Sequence, residues 1–145
     1  MPRSTRSYGL DTSVFVRLLT GHPDADFQET SKGLEALFER EPTAELYVSN
    51  QVIGEAYITL QHHYRLSKPD ARDGIQALLS SGMVSPLNGL AVIELLGLEG
   101  GAGLMDRLIA QDYQTKGLSV LTNDKKMVML PGVEQVARLA EEATE

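Results

Sequence analysis

Short apolar runs alternate along the chain with longer stretches whose apolar residues recur at helical spacing. "YGLD" (8–11) reads as a first short strand. "TSVFVRLLTG" follows at once as a helix, with Thr12 or Ser13 as its N-cap and Gly21 as its stop. "ADFQETSKGLEALFERE" carries helical spacing at Phe27, Leu34, Leu37 and Phe38. "ELYVSN" (45–50) is a second strand, after which Ser49 or Asn50 caps a helix running to about Tyr64. "KPDARDGIQALLSSG" begins with Pro69 and ends near Gly82, good helix punctuation at both ends. "MVSPL" is a short strand and "GLAVIELLGL" an apolar helical stretch. "GAGLMDRLIAQDYQTKG" is a helix closed by Gly117, with Leu104, Met105, Leu108 and Ile109 as its buried face. "LSVLTND" is a further buried strand. The segment 133–140, "VEQVARLA", fits a strand or a helix equally. Strands alternating with helices predict an α/β sandwich around a mainly parallel sheet.

Composition narrows this only a little. The chain has 145 residues, 42% of them hydrophobic, enough for one domain with a real core. We expect a loose arm over residues 1–6, one domain over 7–140 and an acidic tail over 141–145. The basic start, "MPRSTRSYGLD", is not followed by the apolar stretch of a signal peptide, and no run is long enough to span a membrane. The absence of cysteine removes disulfides, thiolate zinc sites and cysteine nucleophiles, and suits a cytoplasmic protein. A net charge of −7 argues against gripping nucleic acid by bulk charge. It leaves room for an acidic pocket whose cations invert the local field.

Ligands of parallel α/β sheets bind at the carboxyl ends of the strands. Asp11 ends the first strand there; its ordinary reading is a helix cap. Glu55 lies early in its helix, off the centre of the stripe made by Val52, Ile53, Ala56, Tyr57 and Leu60. Asp106 occupies the first turns of its helix, outside the buried face. Both have an ordinary reading as surface acids favoured by the helix dipole. Asp124, in "LTNDKKM", follows the "LSVLT" strand as Asp11 follows the first, or is simply a turn residue. Asp112 falls by helical phase inside the apolar stripe, as a buried polar contact or a supporting group. Each acid alone is weak evidence. Together, all four fall where strands hand over to helices. Four carboxylates at one edge cannot all stay ionised without cations, and Mg²⁺ or Mn²⁺ is the natural complement to oxygen donors.

From "LDTSVFVRLL" through "GEAY" and "MDRLIAQDY" to "LTNDKKM", the chain resembles the PIN-domain family, and in size and layout its VapC-like toxin ribonucleases. The resemblance implies a three-layer α/β/α sandwich. It makes Asp11, Glu55, Asp106 and Asp124 catalytic, metal-binding carboxylates, with Thr12 as a support and Thr122 as a turn residue orienting substrate or water. It also implies a Mg²⁺- or Mn²⁺-dependent endoribonuclease, the toxin of a type II toxin–antitoxin pair, acting on RNA as a homodimer and inhibited by a small antitoxin. Two departures stand out. Ser13 replaces the usual Asn, and Gln111 and Asp112 replace small residues.

Arg17, Arg107, Lys125 and Lys126 adjoin these segments and are candidates for holding RNA phosphates, or are solvated charges. "GLEGGAG" (97–103) has neither a dinucleotide nor a P-loop order and reads as a flexible lead-in to the Asp106 helix. His62 and His63 are adjacent, so they point apart on a helix and read as helix-end residues. Two rivals remain. A small phosphatase that places an Asp after its first strand needs a second Asp two residues on, where this chain has Ser13. A non-catalytic PIN-like scaffold or binding module would show no metal-dependent cleavage.

Overall fold

The computed structural model describes residues 6–143. Its elements run in the order β1 (Ser7–Gly9), α1 (Thr12–Thr20), α2 (Asp24–Arg40), β2 (Glu45–Val48), α3 (Asn50–His62), α4 (Lys68–Ser80), β3 (Ser85–Pro86), α5 (Ala91–Leu96), α6 (Leu104–Gln114), β4 (Val120–Thr122), β5 (Val133–Gln135) and α7 (Val136–Ala143), with one 3-10 turn at Met127–Met129. The alternation of strands and helices and the parallel sheet flanked by helices are as expected. Segment 133–140 is both of its alternatives in succession, a strand and then a helix. The expected arm lies outside the described residues except for Arg6, which pairs with Glu41 at 3.4 Å. The expected tail is described only to Ala143, and that part is helical.

Every strand pairing is parallel, but the strands form two ladders. β1, β2 and β3 make one, with Tyr8 opposite Leu46 and Val48 opposite Pro86. β4 and β5 make the other, with Val120 opposite Val133. Pro86 donates nothing to a ladder and sits on an edge strand, where that is tolerated. Strand β2 shows how the pleat sorts residues. Leu46 and Val48 are buried while Glu45 and Tyr47 face outward.

Capping residues set the helix ends. Asp11, rather than Thr12 or Ser13, caps α1, because its extended backbone lets its carboxylate accept from the first helical N–H. Gly21 ends α1 at φ 68°, and its N–H bonds to the Arg17 carbonyl. Ser49 caps α3 at Val52 N (3.2 Å), and Ser67 caps α4 at Asp70 N (3.1 Å).

The main core is built around α3, which packs on α1, α4 and α6. Phe15, Ile53, Leu60, Ile75, Leu96 and Leu108 are its largest enclosed side chains. In α2, Leu34, Leu37 and Phe38 reach this core but stay half-buried. A second, smaller cluster joins Ala110, Val120, Met127 and Val133 under the β4–β5 ladder. Because α6 serves both cores, its buried face differs from the expected one. Leu104, Leu108 and Ala110 are buried, while Ile109 is 44% exposed. Asp112 is exposed too, and not part of an apolar stripe. Leu121 is likewise 57% exposed, so only Val120 makes the β4 strand a buried one.

Candidate active site

Asp11 stands two residues past the end of β1, at the point where the chain turns into α1. Its Oδ1 accepts from Thr12 N at 2.8 Å. The hydroxyl of the same Thr12 donates to Glu55 Oε2 at 2.5 Å, across 43 positions of sequence. One residue therefore bonds to both carboxylates, one through its backbone and one through its side chain. Gln51, a turn earlier on α3, donates to the other Glu55 oxygen at 3.2 Å. The Thr12 hydroxyl, and after it the Gln51 amide, hold the Glu55 carboxyl below the ordinary glutamate range, with desolvation opposing. Both acids are exposed, so water reaches them and lone pairs remain for a ligand.

Asp106 sits half-buried in the first turn of α6. It is brought towards α3 by a close helix approach. A Cβ on Gly54 would lie 2.8 Å from Met105 Cε and 2.9 Å from its sulfur. Glu55 and Asp106 each follow directly the residues in that contact. Asp124 occupies the turn after β4, two residues past that strand's end. Its N–H donates to Thr122 Oγ1 (3.0 Å), and its Oδ1 accepts from Lys126 N (2.8 Å). Thr122 thus shapes the turn that holds Asp124. Among the described residues no hydrogen bond or ion pair joins Asp124 to the other three acids. Nor, among the described residues, is any group of three or more histidine or carboxylate side chains arranged to hold a metal ion.

The PIN-domain family model matches residues 8–132, most of the chain. The chain belongs to the PIN-domain family. PIN domains are generally nucleases and typically use divalent metals. No curated protein matches the chain. A chain of the crystal structure of VapBC2 from Rickettsia felis bound to a DNA fragment from their promoter is similar at 20% identity, over 89% of this chain and 98% of that one, with a TM-score of 0.37.

The donors present in this PIN domain fit a small hard cation better than a large or soft one. All are carboxylate or hydroxyl oxygens, with no thiolate in the chain. Mg²⁺ keeps several waters and is held by one or two carboxylates together with substrate phosphates, rather than by a closed protein cage. A two-carboxylate station at Thr12 meets that demand without a third acid beside it. A concavity of about 500 Å³ lined by Leu18, Leu34, Phe38 and Met83 lies elsewhere, between α1 and α2. It is mostly apolar, with Glu35 and Glu39 among its lining residues, and it offers no cation to a polyanion.

The basic residues sort themselves. Arg107 is half-buried and committed to structure. Its Nη2 donates to Gly100 O at 2.8 Å and its Nε to Ala102 O at 3.0 Å. Arg72 reaches the same loop at Leu98 O (3.3 Å). The expected flexible lead-in is instead clasped by two arginines, with Gly100 and Gly101 at φ 74° and 67° supplying its turns. Arg17 pairs with Asp26 at 3.6 Å. Lys125 and Lys126 are exposed, and among the described residues their side chains make no ion pair. His62 and His63 close α3 at the surface, as expected.

Asn50 gave no functional signal in the sequence beyond its candidacy as a cap. It is 3% exposed, the one buried polar residue among those described. Its Nδ2 donates to Leu108 O (3.0 Å) and to Gln111 Oε1 (2.7 Å). Gln111 Oε1 also accepts from Asn88 Nδ2 (3.0 Å), which donates in turn to Asp112 Oδ1 (2.7 Å). The two unusual residues of α6, Gln111 and Asp112, therefore have partners outside their own helix. The signal available was a polar residue at the start of α3 matched by a polar pair on α6.

Proposed function

We propose that this PIN domain is a Mg²⁺- or Mn²⁺-dependent endoribonuclease, the toxin of a type II toxin–antitoxin pair, with Asp11, Glu55, Asp106 and Asp124 as its acidic site. The observation that carries this reading is the bonding of Asp11 and Glu55 to the single residue Thr12 at the start of α1. When bound, a divalent ion would lower the pKa of an attacking water and neutralise charge on the leaving oxygen. The chain's own part is to hold and orient. Asp11 and Glu55 supply charged oxygens, Thr12 fixes the two together, and Thr122 holds the Asp124 turn. Lys125 and Lys126 offer two exposed cations for the phosphate backbone, which the acids repel. Hydrolysis by water leaves a 5′-phosphate and a 3′-hydroxyl. Apolar surface for a small antitoxin or a second copy of the chain exists, since Leu87 and Leu90 are 62% and 73% exposed.

The test is incubation of the purified protein with total RNA and Mn²⁺ or Mg²⁺, with and without chelator, followed by mapping of the cut ends. Chelator-sensitive cuts with 5′-phosphate ends are expected from the wild type, and none above background from Asp11→Asn or Asp106→Asn. Cleavage that survives both substitutions would sink the site assignment. A second reading is favoured by the lack, among the described residues, of a three-acid group able to hold a metal. On it the chain is a non-catalytic PIN-like binding module, and the same assay shows no metal-dependent cut.

A further inference from the structure

Asn50 presents a physical puzzle. Both hydrogens of its amide are used, on Leu108 O and Gln111 Oε1, yet its Oδ1 is buried with no hydrogen-bond partner among the described residues. An orphaned buried acceptor is unfavourable, whereas an apolar side chain of similar shape would be close to neutral. What the amide provides and an apolar residue would not is direction. Apolar faces of two helices can slide or rotate on each other at little cost, but a donor aimed at one carbonyl and one side-chain oxygen fixes a single register.

The helices so fixed are α3 and α6. Asn50 opens α3 and holds the second half of α6. A turn further along α3, Gly54 abuts Met105 near the start of α6. The two contacts mark the ends of one seam. Glu55 and Asp106 stand at its Gly54 end, one on each helix. Asn88, in the loop after β3, braces the other end by donating to both Gln111 and Asp112.

We infer that Asn50, with Gln111 and Asn88, is a positioning device that locks the register of α3 on α6 and thereby sets Glu55 against Asp106. It rests on the metal-site reading given above and adds residues to it that touch no substrate. Groups that orient metal-binding side chains typically change metal affinity or activity by about 10–100-fold when removed.

The experiment measures Mn²⁺ affinity of the full chain directly, from the paramagnetic resonance signal of free Mn²⁺, alongside thermal melting. The variants are Asn50→Ala and Gln111→Leu, singly and together, with Ile75→Val on α4 as a destabilised control remote from the seam. Asn50→Ala and Gln111→Leu should each weaken Mn²⁺ binding by about tenfold or more. The double variant should be no worse than the weaker single one, because both break the same lock. Ile75→Val should melt earlier and bind as the wild type does. Wild-type affinity in the folded single variants overturns the inference, as does an equal loss in Ile75→Val, which would trace the effect to stability alone. Should Asn50→Ala fail to fold, Gln111→Leu at the half-buried end decides by the same criteria. A wild-type chain that binds no Mn²⁺ overturns the metal reading itself, and the inference with it.

Discussion

Asp11 and Asp124 each stand two residues beyond the end of a parallel strand, yet their supports differ sharply. Asp11 belongs to the ladder of β1, β2 and β3, laid over a core of sixteen buried residues. Its partner Glu55 rides on α3, the most enclosed helix of that core. Asp124 belongs to the ladder of β4 and β5, beneath which only four of the described residues are buried. Around Asp124, Leu121 and Met129 are 57% and 72% exposed. Regions with few buried contacts open at lower free energy than the rest of a domain. The Thr12 station is thus the rigid half of the proposed site and the Asp124 turn the yielding half. A site split in this way can hold two acids ready and let the remaining one adjust to what is bound.

The strongest way to break this contrast is to damage the larger core. Phe15→Ala removes an aromatic ring with no exposure and should cost about 3–5 kcal/mol of unfolding free energy, read by denaturant titration. A cost below about 1 kcal/mol would mean that the α1–α3 side is no better packed than the other. Met127→Ala in the smaller cluster should cost about 2 kcal/mol, the low end for such a truncation, because exposed neighbours can collapse into the space. By hydrogen exchange its effect should be local, releasing β4 and β5 amides while those of β1 and β2 keep their protection. Equal release in both ladders would show one cooperative unit instead of two unequal ones.

A finer probe is Thr12→Val, which keeps the shape but removes the hydroxyl on Glu55. That hydroxyl is the main reason the Glu55 carboxyl titrates below the ordinary glutamate range. A carboxyl with a lowered folded-state pKa adds stability above its unfolded value, and that addition is lost as pH falls through the folded value. In metal-free protein the Glu55 side-chain carbon should therefore titrate at higher pH in Thr12→Val than in the wild type. An unmoved titration would show that Thr12 does not bond Glu55 in solution.

Much of the scaffold is readable from single residues. Gly21 stops α1, Ser49 and Ser67 precede helices they cap, and the order of strands and helices follows from apolar spacing. Local signals of this kind depend on a few neighbouring positions, so sequence displays them. The N-cap of α1 stays open in the sequence because three consecutive residues, Asp11, Thr12 and Ser13, can all cap. Only the backbone shows that the first does, freeing the Thr12 hydroxyl for Glu55. The exposure of Asp112 and Ile109 was hidden for another reason. Helix α6 packs on two separate clusters, so no single stripe describes it. The link from Asn50 to Gln111, 61 positions apart, and the division of the strands into two ladders are long-range facts that no local period records.

The clasp made by Arg107 has a consequence for how the proposed RNA binding should respond to ionic strength. Of the four cations beside the proposed site, Arg107 is spent on the carbonyls of Gly100 and Ala102, and Arg17 on Asp26. Only Lys125 and Lys126 are left to displace counterions from an RNA strand. Affinity for a single strand falls with salt at a log–log slope of about −0.7 per neutralised phosphate, so two lysines give about −1.4. A filter-binding series across potassium concentrations should return that shallow slope, and Lys125→Ala should halve it. A steep slope would mean that cations elsewhere carry the backbone. On the proposed function, so small an electrostatic share leaves discrimination among RNAs to shape and to contacts with bases far more than to charge.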